Sequence, residues 1–526
     1  MGSRPLGRKL AAAGAAASVL YSAALVFLRG RPSIDADAGI FLSVAARLVH
    51  GDHLYTGVWD NKPPFFYYAQ ALALDVGGWR GPFFLDALWL SIATVSIWLL
   101  LTAIKASPWT RLVGALAYPL MLTGAWYYAG YSELPPLALA PAMAWLCLRG
   151  NPRWAGALLG IAVFFRLDYS LLFFSLIAIA LIVVAKDGPA MRREALRLLT
   201  GFAATVAASI AFLAARGELS AYIDTIRSQV GYPDRTLMLQ GEHTGIVGHV
   251  TVVVRTLHED PLRSVMLVLA VAALVALLLM ALRRRPAQPL ASGRTEPGWM
   301  LTAFLLGTAA AAVVTLAFSA LWDHSLELIA LPATFATCFL VSKVESAKLD
   351  RRRRIGAIAA TTVACCVAFG GLGINRSGGS PEASSAISRW WHTPRSVSAI
   401  ALDRVAAQAR ASGAQVTYGR LGTNADDAHA EFIDQNLELA CPIFHQYPFS
   451  SNLDEALGCI RDQRPQLLLV GPLFFPLHQP TARSWDRFVS ASERLLRTRY
   501  TKALALPDDG GTVEVWRRKQ IKPEPG

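Results

Sequence analysis

The sequence predicts a multi-pass α-helical membrane protein that ends in a C-terminal extracytoplasmic α/β domain. First, the 526 residues are 54% hydrophobic and only 17% charged, with a mean hydropathy of +0.38, which is too apolar for an ordinary soluble domain. Second, apolar windows long enough to cross roughly 30 Å of hydrocarbon recur over the first three quarters of the chain. Third, short apolar runs alternate with amphipathic stretches after Asn375.

The apolar windows predict about 11 transmembrane helices. The fourth and fifth windows are short, and together they also fit one re-entrant hairpin. That alternative leaves the orientation of every later segment unchanged. The windows comprise residues 10–28, 83–104, 112–128, 134–148, 154–165, 169–185, 198–215, 262–282, 299–321, 326–341 and 355–372.

Basic residues predict the orientation, because lysine and arginine stay on the cytoplasmic side of a membrane. They are concentrated in alternate connections, so the N-terminus is predicted to be cytoplasmic and the first loop and the tail to be external. Residues 10–28 are interpreted as a retained anchor, since Arg29–Pro32 makes a poor signal-peptide cleavage site. The net charge of +13 is spread over the inner connections, which argues against a nucleic-acid partner. We expect a bacterial inner-membrane protein.

Two domains are predicted, residues 1–374 in the membrane, with a first external loop at 29–82, and residues 375–526 outside it. The tail is long enough to bury its own core. Its glycines suggest a nucleotide fold, but no G-x-G-x-x-G motif is present, so we expect it to shape access to a site. Strands are predicted at 415–418, 466–470, 501–506 and 512–516, and helices at 396–410, 431–439, 452–462 and 481–499.

Two of the six cysteines, Cys441 and Cys459, lie in the tail. An oxidising compartment would permit a disulfide between them, which their spacing alone does not prove. The other four lie in apolar windows, where a buried, unreactive thiol is expected. No cysteine or histidine spacing indicates a zinc site.

The first external loop carries acids directly after a transmembrane window. Apolar residues from Ile40 to Val49 share one side at helical spacing and Gly51 ends the pattern, which predicts an amphipathic helix on the outer membrane surface. An N-cap role explains one of Asp35 and Asp37, but not both. A calcium loop is excluded because Ala46 stands where a bidentate glutamate is needed. A role as ligands for the metal of a nucleotide-sugar diphosphate is disfavoured, because nucleotide sugars are cytoplasmic and this loop is predicted to be external. The remaining interpretation is an acid that acts as a base at the membrane surface.

Two motifs in this loop are D-x-G-x-x-x-x-x-A-x-x-x-x-x-G-D, from Asp37 to Asp52, and W-D-x-K-P-P-x-x-Y, from Trp59 to Tyr67. With the preceding span, they resemble the GT-C glycosyltransferases of the aminoarabinose transferase and protein O-mannosyltransferase superfamily. The resemblance covers the membrane part and is strongest in this loop. It implies a polyprenyl-phosphate sugar as donor, with Asp37 matching the catalytic acid. Many members carry a second acid next, where this chain has Ala38, so either Asp35 substitutes or one carboxylate suffices.

The same resemblance implies roles for residues farther along the chain. Lys62 matches the lysine that faces phosphate, and Glu133 matches an acid of the second external loop. His324, in the string W-D-H-S-L-E-L, resembles a family H-Y pair with Ser325 in place of tyrosine. Arg166 is carried over as a further phosphate ligand. Whether a divalent cation assists Asp37 and Glu133 is left open, and no other cofactor is predicted.

The chemistry fits these residue types without the family. A lipid-phosphate leaving group keeps its charge, so fixed cations at Lys62, Arg166 and His324 would stabilise the transition state. Asp37 would take the proton of the acceptor hydroxyl, and attack opposite the phosphate would invert the anomeric centre. Asp60, Pro63, Pro64 and Tyr67 are expected to support this loop.

Each of these residues also has a plainer interpretation. Lys62 would reach lipid headgroups, and Asp60 would pair with it. His324 would be an interfacial histidine, Glu133 an ordinary loop acid, and Arg166 the ion-pair partner of a nearby aspartate.

We therefore expect a membrane glycosyltransferase that moves a sugar from a polyprenyl-phosphate donor to a cell-envelope glycan, lipid or protein. The alanine- and arginine-rich composition hints at a GC-rich bacterial genome, which would make mannose or arabinose donors plausible. One alternative is a multi-pass transporter or flippase of a lipid-linked precursor, although its charges would be expected nearer mid-membrane. Another is a scaffold whose tail binds an envelope partner.

Overall fold

Helices make up most of the chain that this computed structural model describes. The described residues are 16–26, 36–123, 130, 132–185, 187–229, 297–318, 327–347, 349–370, 397–411, 416–422, 437–441, 453–471, 483–508 and 511–519. The chain divides into two units. The first consists of Met1–Arg31, Phe83–Phe212 and Gly245–Ala386, and the second of Pro32–Pro82, Leu213–Thr244 and Ile387–Gly526.

The described helices form two series along the chain, one before and one after residues 230–296, which lie outside the described part. The first series is α1 (Ala16–Val26), α2 (Ala36–Val49), α3 (Pro64–Gly77), α4 (Gly81–Ala103), α5 (Pro108–Leu122), α6 (Leu134–Leu148), α7 (Pro152–Phe165), α8 (Ser170–Val184), α9 (Gly188–Ala215) and α10 (Leu219–Gln229). The second series is α11 (Pro297–Phe318), α12 (Ala330–Ser346), α13 (Arg351–Gly370), α14 (Val397–Arg410), α15 (Leu453–Gln463) and α16 (Arg483–Arg499).

Within the described residues, three helical segments are long and apolar enough to cross a membrane: α4, α9 and Glu327–Ser346, which contains α12. Each predicted apolar window except one overlaps a described helix. The exception, 262–282, lies outside the described residues, so the count of about 11 crossings stays a prediction. Helix α9 begins ten residues before its predicted window (188 against 198), because the basic segment at its start is itself helical. Arginine and glutamate favour helix, and Arg197 pairs with Glu194 one turn away.

The helices of the first unit pack as a series of neighbours. Helix α6 contacts α7 and α8, α8 contacts α11, α11 contacts α12, and α12 contacts α5 and α13. Helices α7 and α9 approach with their backbones in contact. A Cβ added at Gly156 would lie 2.0 Å from the carbonyl oxygen of Leu198, and one added at Gly201 would lie 1.9 Å from that of Arg153. Only glycine allows so close an approach.

A five-stranded sheet belongs to the second unit. The strands are β1 (Thr417–Leu421), β2 (Glu438–Leu439), β3 (Leu467–Val470), β4 (Tyr500–Asp508) and β5 (Gly511–Arg518), in the order β2-β1-β3-β5-β4. The pairs β2–β1 and β1–β3 are parallel, and β3–β5 and β5–β4 are antiparallel. A buried cluster joins the sheet to α15 and α16 through Leu421, Leu468, Leu457, Trp485 and Phe488.

Three of these strands, β3, β4 and β5, lie where short apolar runs predict them, and α14, α15 and α16 match predicted helices. The strand predicted at 415–418 overlaps β1 only at residues 417 and 418. The prediction of a helix at 431–439 is wrong at its C-terminal end. Glu438 and Leu439 form β2, which pairs in register with Thr417 and Tyr418. Its amphipathic pattern is overridden there by pairing with a distant strand. Residues 431–436 lie outside the described part.

Candidate functional site

Helix α2 carries the first of the predicted site residues. It begins at Ala36, which makes Asp37 the second residue of the helix and places it in the first turn. A carboxylate in this turn is favoured by the positive end of the helix dipole. Asp35 and the side chain of Asp37 lie outside the described part. The predicted helix is therefore confirmed, and the catalytic role of Asp37 stays a prediction.

The apolar face of α2 packs against α3. Ile40, Phe41 and Val44 are buried, as their spacing predicts, and the rings of Phe41 and Phe66 meet edge to face with centroids 4.9 Å apart. Val49 does not belong to this face, since it is 41% exposed. It lies nine residues after Ile40, and at about 100° per residue this places its side chain on the opposite side of α2.

The W-D-x-K-P-P-x-x-Y motif forms the entry to α3. Pro63 is the N-cap with an extended backbone, and Pro64 opens the helix. Proline suits that first position because its missing N–H has no partner there anyway. One turn later the hydroxyl of Tyr67 donates a hydrogen bond to the fully buried Asp60. Burial, and then the charge of Asp60, raise the pKa of Tyr67 well above its usual value, so it remains a donor.

Lys62 is held in place through its backbone while its ammonium group stays available. The Tyr55 hydroxyl donates a hydrogen bond of 2.7 Å to the Lys62 carbonyl oxygen. The half-buried side chain places Nζ 5.8 Å from the centroid of the Phe41 ring, a cation–π geometry. No carboxylate among the described residues forms a salt bridge with it. The expected Asp60–Lys62 ion pair is not among the described contacts, in which Asp60 binds Tyr67 instead.

Glu218, which sequence reasoning missed, organises a buried polar network in the same unit. Its carboxylate accepts hydrogen bonds from the Leu54 N–H at 3.0 Å, from Arg216 Nε at 2.9 Å and from the Tyr68 hydroxyl. His53 Nδ1 lies 3.5 Å away. Burial lowers the pKa of Arg216, but the interactions with Glu218 and Tyr68 together outweigh it, so the pKa is raised. The only available sequence signal was an acid directly after an apolar window.

In the first unit, Arg166 is the centre of an ion-pair network. Its Nε and Nη2 donate to the two Asp168 oxygens at 2.8 and 3.0 Å, and Nη1 donates to Ser132 Oγ at 2.8 Å and to Glu133. Its Cζ lies 5.0 Å from the centroid of the Tyr169 ring. Four of the five guanidinium N–H groups are thus used, which leaves one on Nη2. Burial lowers the pKa of Arg166, but Asp168 and Glu133 outweigh it, so the pKa is raised.

Two further buried acids accompany Glu133, and both were missed. Asp86 accepts a hydrogen bond of 2.8 Å from the Gly130 N–H. Glu327 is 4% exposed, and among the described residues its Oε1 has no hydrogen-bond partner. It interacts electrostatically with Glu133, Asp86 and Arg166. An acid at the edge of an apolar window is by default a functional candidate, a signal that both residues carried.

The described residues do not fit a resident metal ion. No three histidine, cysteine or acidic side chains among them are arranged to hold one. Glu133, the predicted candidate ligand, is already bound by Arg166 and Ser132. His324 lies outside the described residues. Cys441 and Cys459 form a disulfide, with their Cα atoms 5.8 Å apart.

Comparison with known proteins identifies the fold. No protein-family model and no curated protein matches the sequence. Among solved structures, ArnT from Cupriavidus metallidurans, bound to undecaprenyl phosphate, is similar with a TM-score of 0.54 and 12% identity, over 98% of both chains. The mycobacterial arabinofuranosyltransferase AftD is similar with a TM-score of 0.50 and 15% identity, over 99% of this chain but only 40% of its own. Our chain therefore has the GT-C fold that these two enzymes share.

Proposed function

We propose that the protein is a membrane glycosyltransferase that moves a sugar from a polyprenyl-phosphate donor to a cell-envelope acceptor. The observation that carries the proposal is the fold likeness to ArnT over 98% of both chains. That ArnT structure contains undecaprenyl phosphate, which is a ligand of the class proposed here. The AftD likeness points to the same reaction class, although this chain spans only 40% of the AftD chain.

The first external loop supports a donor-phosphate role for Lys62. Its ammonium is half-buried beside the Phe41 ring and forms no salt bridge with a described carboxylate. A lysine that is paired internally would have to break that pair before it could bind phosphate. Among the described residues Lys62 has no such pair to break, and the two prolines that follow it restrict the backbone on which it stands.

The proposed reaction is a single displacement at the anomeric carbon. The acceptor oxygen forms a bond to this carbon on the face opposite the phosphate, and the bond between the carbon and the phosphate oxygen breaks. The polyprenyl phosphate leaves with the bonding electrons, and Lys62 stabilises its charge. Asp37 takes the proton of the attacking hydroxyl. The product has the inverted configuration.

The remaining predicted residues have narrower roles in this proposal. Among the described residues one N–H of Arg166 has no acceptor, which suits Arg166 to a single hydrogen bond with a ligand, in contrast to the forked contact of an unpaired arginine. His324 stays a predicted phosphate ligand. The reaction would take place on the extracytoplasmic face, which agrees with the disulfide between Cys441 and Cys459, since disulfides persist in oxidising compartments.

The test is transfer by the purified full-length chain from radiolabelled polyprenyl-phosphate sugars, with mannose and arabinose donors in the first panel. Cell-envelope extracts supply the acceptors, and nucleotide sugars serve as control donors. We expect label to move from a polyprenyl-phosphate sugar and none to move from a nucleotide sugar. Transfer from nucleotide sugars alone would contradict the proposal. Movement of the intact donor across liposomes without transfer would favour the flippase.

A further inference from the structure

A cavity of about 530 Å³ lies between the start of α9 and the start of α7 in the first unit. No role is predicted for it in sugar transfer. Its polar wall carries four arginines, and its other lining residues are small or apolar. The lining consists of Arg153, Arg192, Arg193, Arg197, Gly188, Pro189, Leu196 and Thr200.

The four arginines are not equivalent. Arg193 and Arg197 share the largely buried Glu194, at 3.3 and 3.1 Å. Arg153 and Arg192 form no salt bridge with any carboxylate of the described residues. Four positive charges against one negative charge leave a net charge of +3 at this cavity. Its chemistry therefore suits an anion with several acceptor oxygens, such as a phosphate group.

The wall of the cavity is held by close backbone packing. Gly156 of α7 meets the backbone of α9 at Leu198, and Gly201 of α9 meets the backbone of α7 at Arg153. These contacts fix the backbone of Arg153 relative to that of α9. The four exposed arginine side chains therefore extend from two helices whose backbones are held together without a ligand.

The position of the cavity indicates where the phosphate comes from. It lies at one end of α9, which is long and apolar enough to cross a membrane. Leu196, Leu199 and Trp154 are more than half exposed beside it. Such residues suit contact with acyl chains and the interface, and headgroups lie at the ends of spanning helices. We propose that this cavity binds the headgroup of an anionic phospholipid in the leaflet predicted to be cytoplasmic.

This inference is independent of the proposed sugar transfer, and lipid binding to the purified full-length chain tests it. Native mass spectrometry in neutral detergent measures the affinity of the first bound dioleoyl-phosphatidylglycerol, with dioleoyl-phosphatidylcholine as the neutral lipid. We expect the anionic lipid to bind more tightly. Arg192→Gln should weaken it about fivefold, and Arg153→Gln/Arg192→Gln about twenty-fivefold, since each cation near a headgroup contributes about 1 kcal/mol.

The matched control is Arg351→Gln/Arg352→Gln, which removes two exposed arginines at the start of α13. It should leave phosphatidylglycerol binding almost unchanged, and no variant should alter phosphatidylcholine binding. An equal loss in this control would overturn the proposal, since the effect would then be one of net charge. Equal affinity for both lipids would also overturn it. Displacement of the lipid by millimolar inorganic phosphate would assign the cavity to a soluble phosphate.

Discussion

At the scale of single residues, Lys62 carries a charge that no described carboxylate neutralises, beside the ring of Phe41. Lys62→Ala should raise the KM for the lipid-linked donor about 10- to 100-fold, since a hydrogen bond to a charged group contributes about 1.5–3 kcal/mol. The thermal unfolding midpoint should fall only slightly, because the contact with the Phe41 ring contributes about 0.5–1 kcal/mol and no described carboxylate loses a salt bridge. Steady-state transfer kinetics at varied donor concentration measure the effect.

Lys343 offers a matched control for that substitution. It is also half-buried, and its Nζ lies 5.1 Å from the centroid of the Phe339 ring, but it lies near the end of α12 that is predicted to be cytoplasmic. Lys343→Ala should leave the donor KM unchanged. A similar rise in both variants would show that loss of a lysine–aromatic contact, and not phosphate binding, explains the Lys62 result.

Arg166 differs from Lys62, because its charge forms salt bridges with Glu133 and Asp168. Arg166→Gln leaves the buried Glu133 without its counter-charge. Breaking a buried pair in this way typically costs about 3–5 kcal/mol, so the unfolding midpoint in detergent should fall clearly. Arg193→Gln is the control, because its exposed pair with Glu194 should contribute at most about 1 kcal/mol. Equal midpoints for the two variants would contradict this account of the network.

Sequence reasoning found the residues whose signals are local. Lys62, Pro63 and Tyr67 stand within one short motif, and the structure places them together at the entry to α3. Glu218 was missed because its partner Tyr68 is 150 residues away, a separation that no spacing rule covers. Glu327 stands in the same string as His324 and at the edge of an apolar window, but that signal was passed over in favour of His324, which the family resemblance pointed to.

At the scale of elements, the contact between α7 and α9 depends on glycine. Gly156→Ala would place a methyl group 2.0 Å from the Leu198 carbonyl oxygen, which belongs to the backbone and cannot rotate away. Although alanine favours helix, we expect a loss of about 1–3 kcal/mol in the free energy of unfolding from overpacking. Chemical denaturation of the purified chain, followed by helical circular dichroism, measures this change.

Gly458 of α15 is the control for that substitution. An added Cβ there would meet no atom within 4 Å. Gly458→Ala should therefore stabilise the protein by about 0.4–1 kcal/mol, because the unfolded chain loses freedom and the folded chain gains no clash. A loss of stability at Gly458 comparable to that at Gly156 would show that the close approach of the helices is not the cause.

Helices and strands with a strong hydrophobic pattern were predictable from the sequence. The residues at which they begin and end were harder to predict. Apolar windows located α6 at the predicted residues, because its length and composition are unambiguous. The start of α9 was missed because a basic segment reads as a loop when only hydropathy is considered. The short strand β2 was misread as helix because two residues carry no period of their own and are held by pairing with β1.

At the scale of the whole molecule, composition and charge distribution indicated a membrane protein before any motif was considered. The likeness to ArnT over 98% of both chains confirms the GT-C fold at only 12% identity. At that identity the fold is shared while most side chains differ, so the fold alone assigns neither donor nor acceptor. We propose that these depend on a few side chains of the first loop.

The most direct measurement compares sugar transfer by the parent protein and by Asp37→Asn, with equal folding checked by the unfolding midpoint. Asp75→Asn, which removes an exposed acid of α3, is the matched control. Loss of a general base should lower kcat about 10²–10⁴-fold with little change in the donor KM, while the control keeps full activity. Unchanged kcat in Asp37→Asn would contradict the account and transfer the role of base to Asp35.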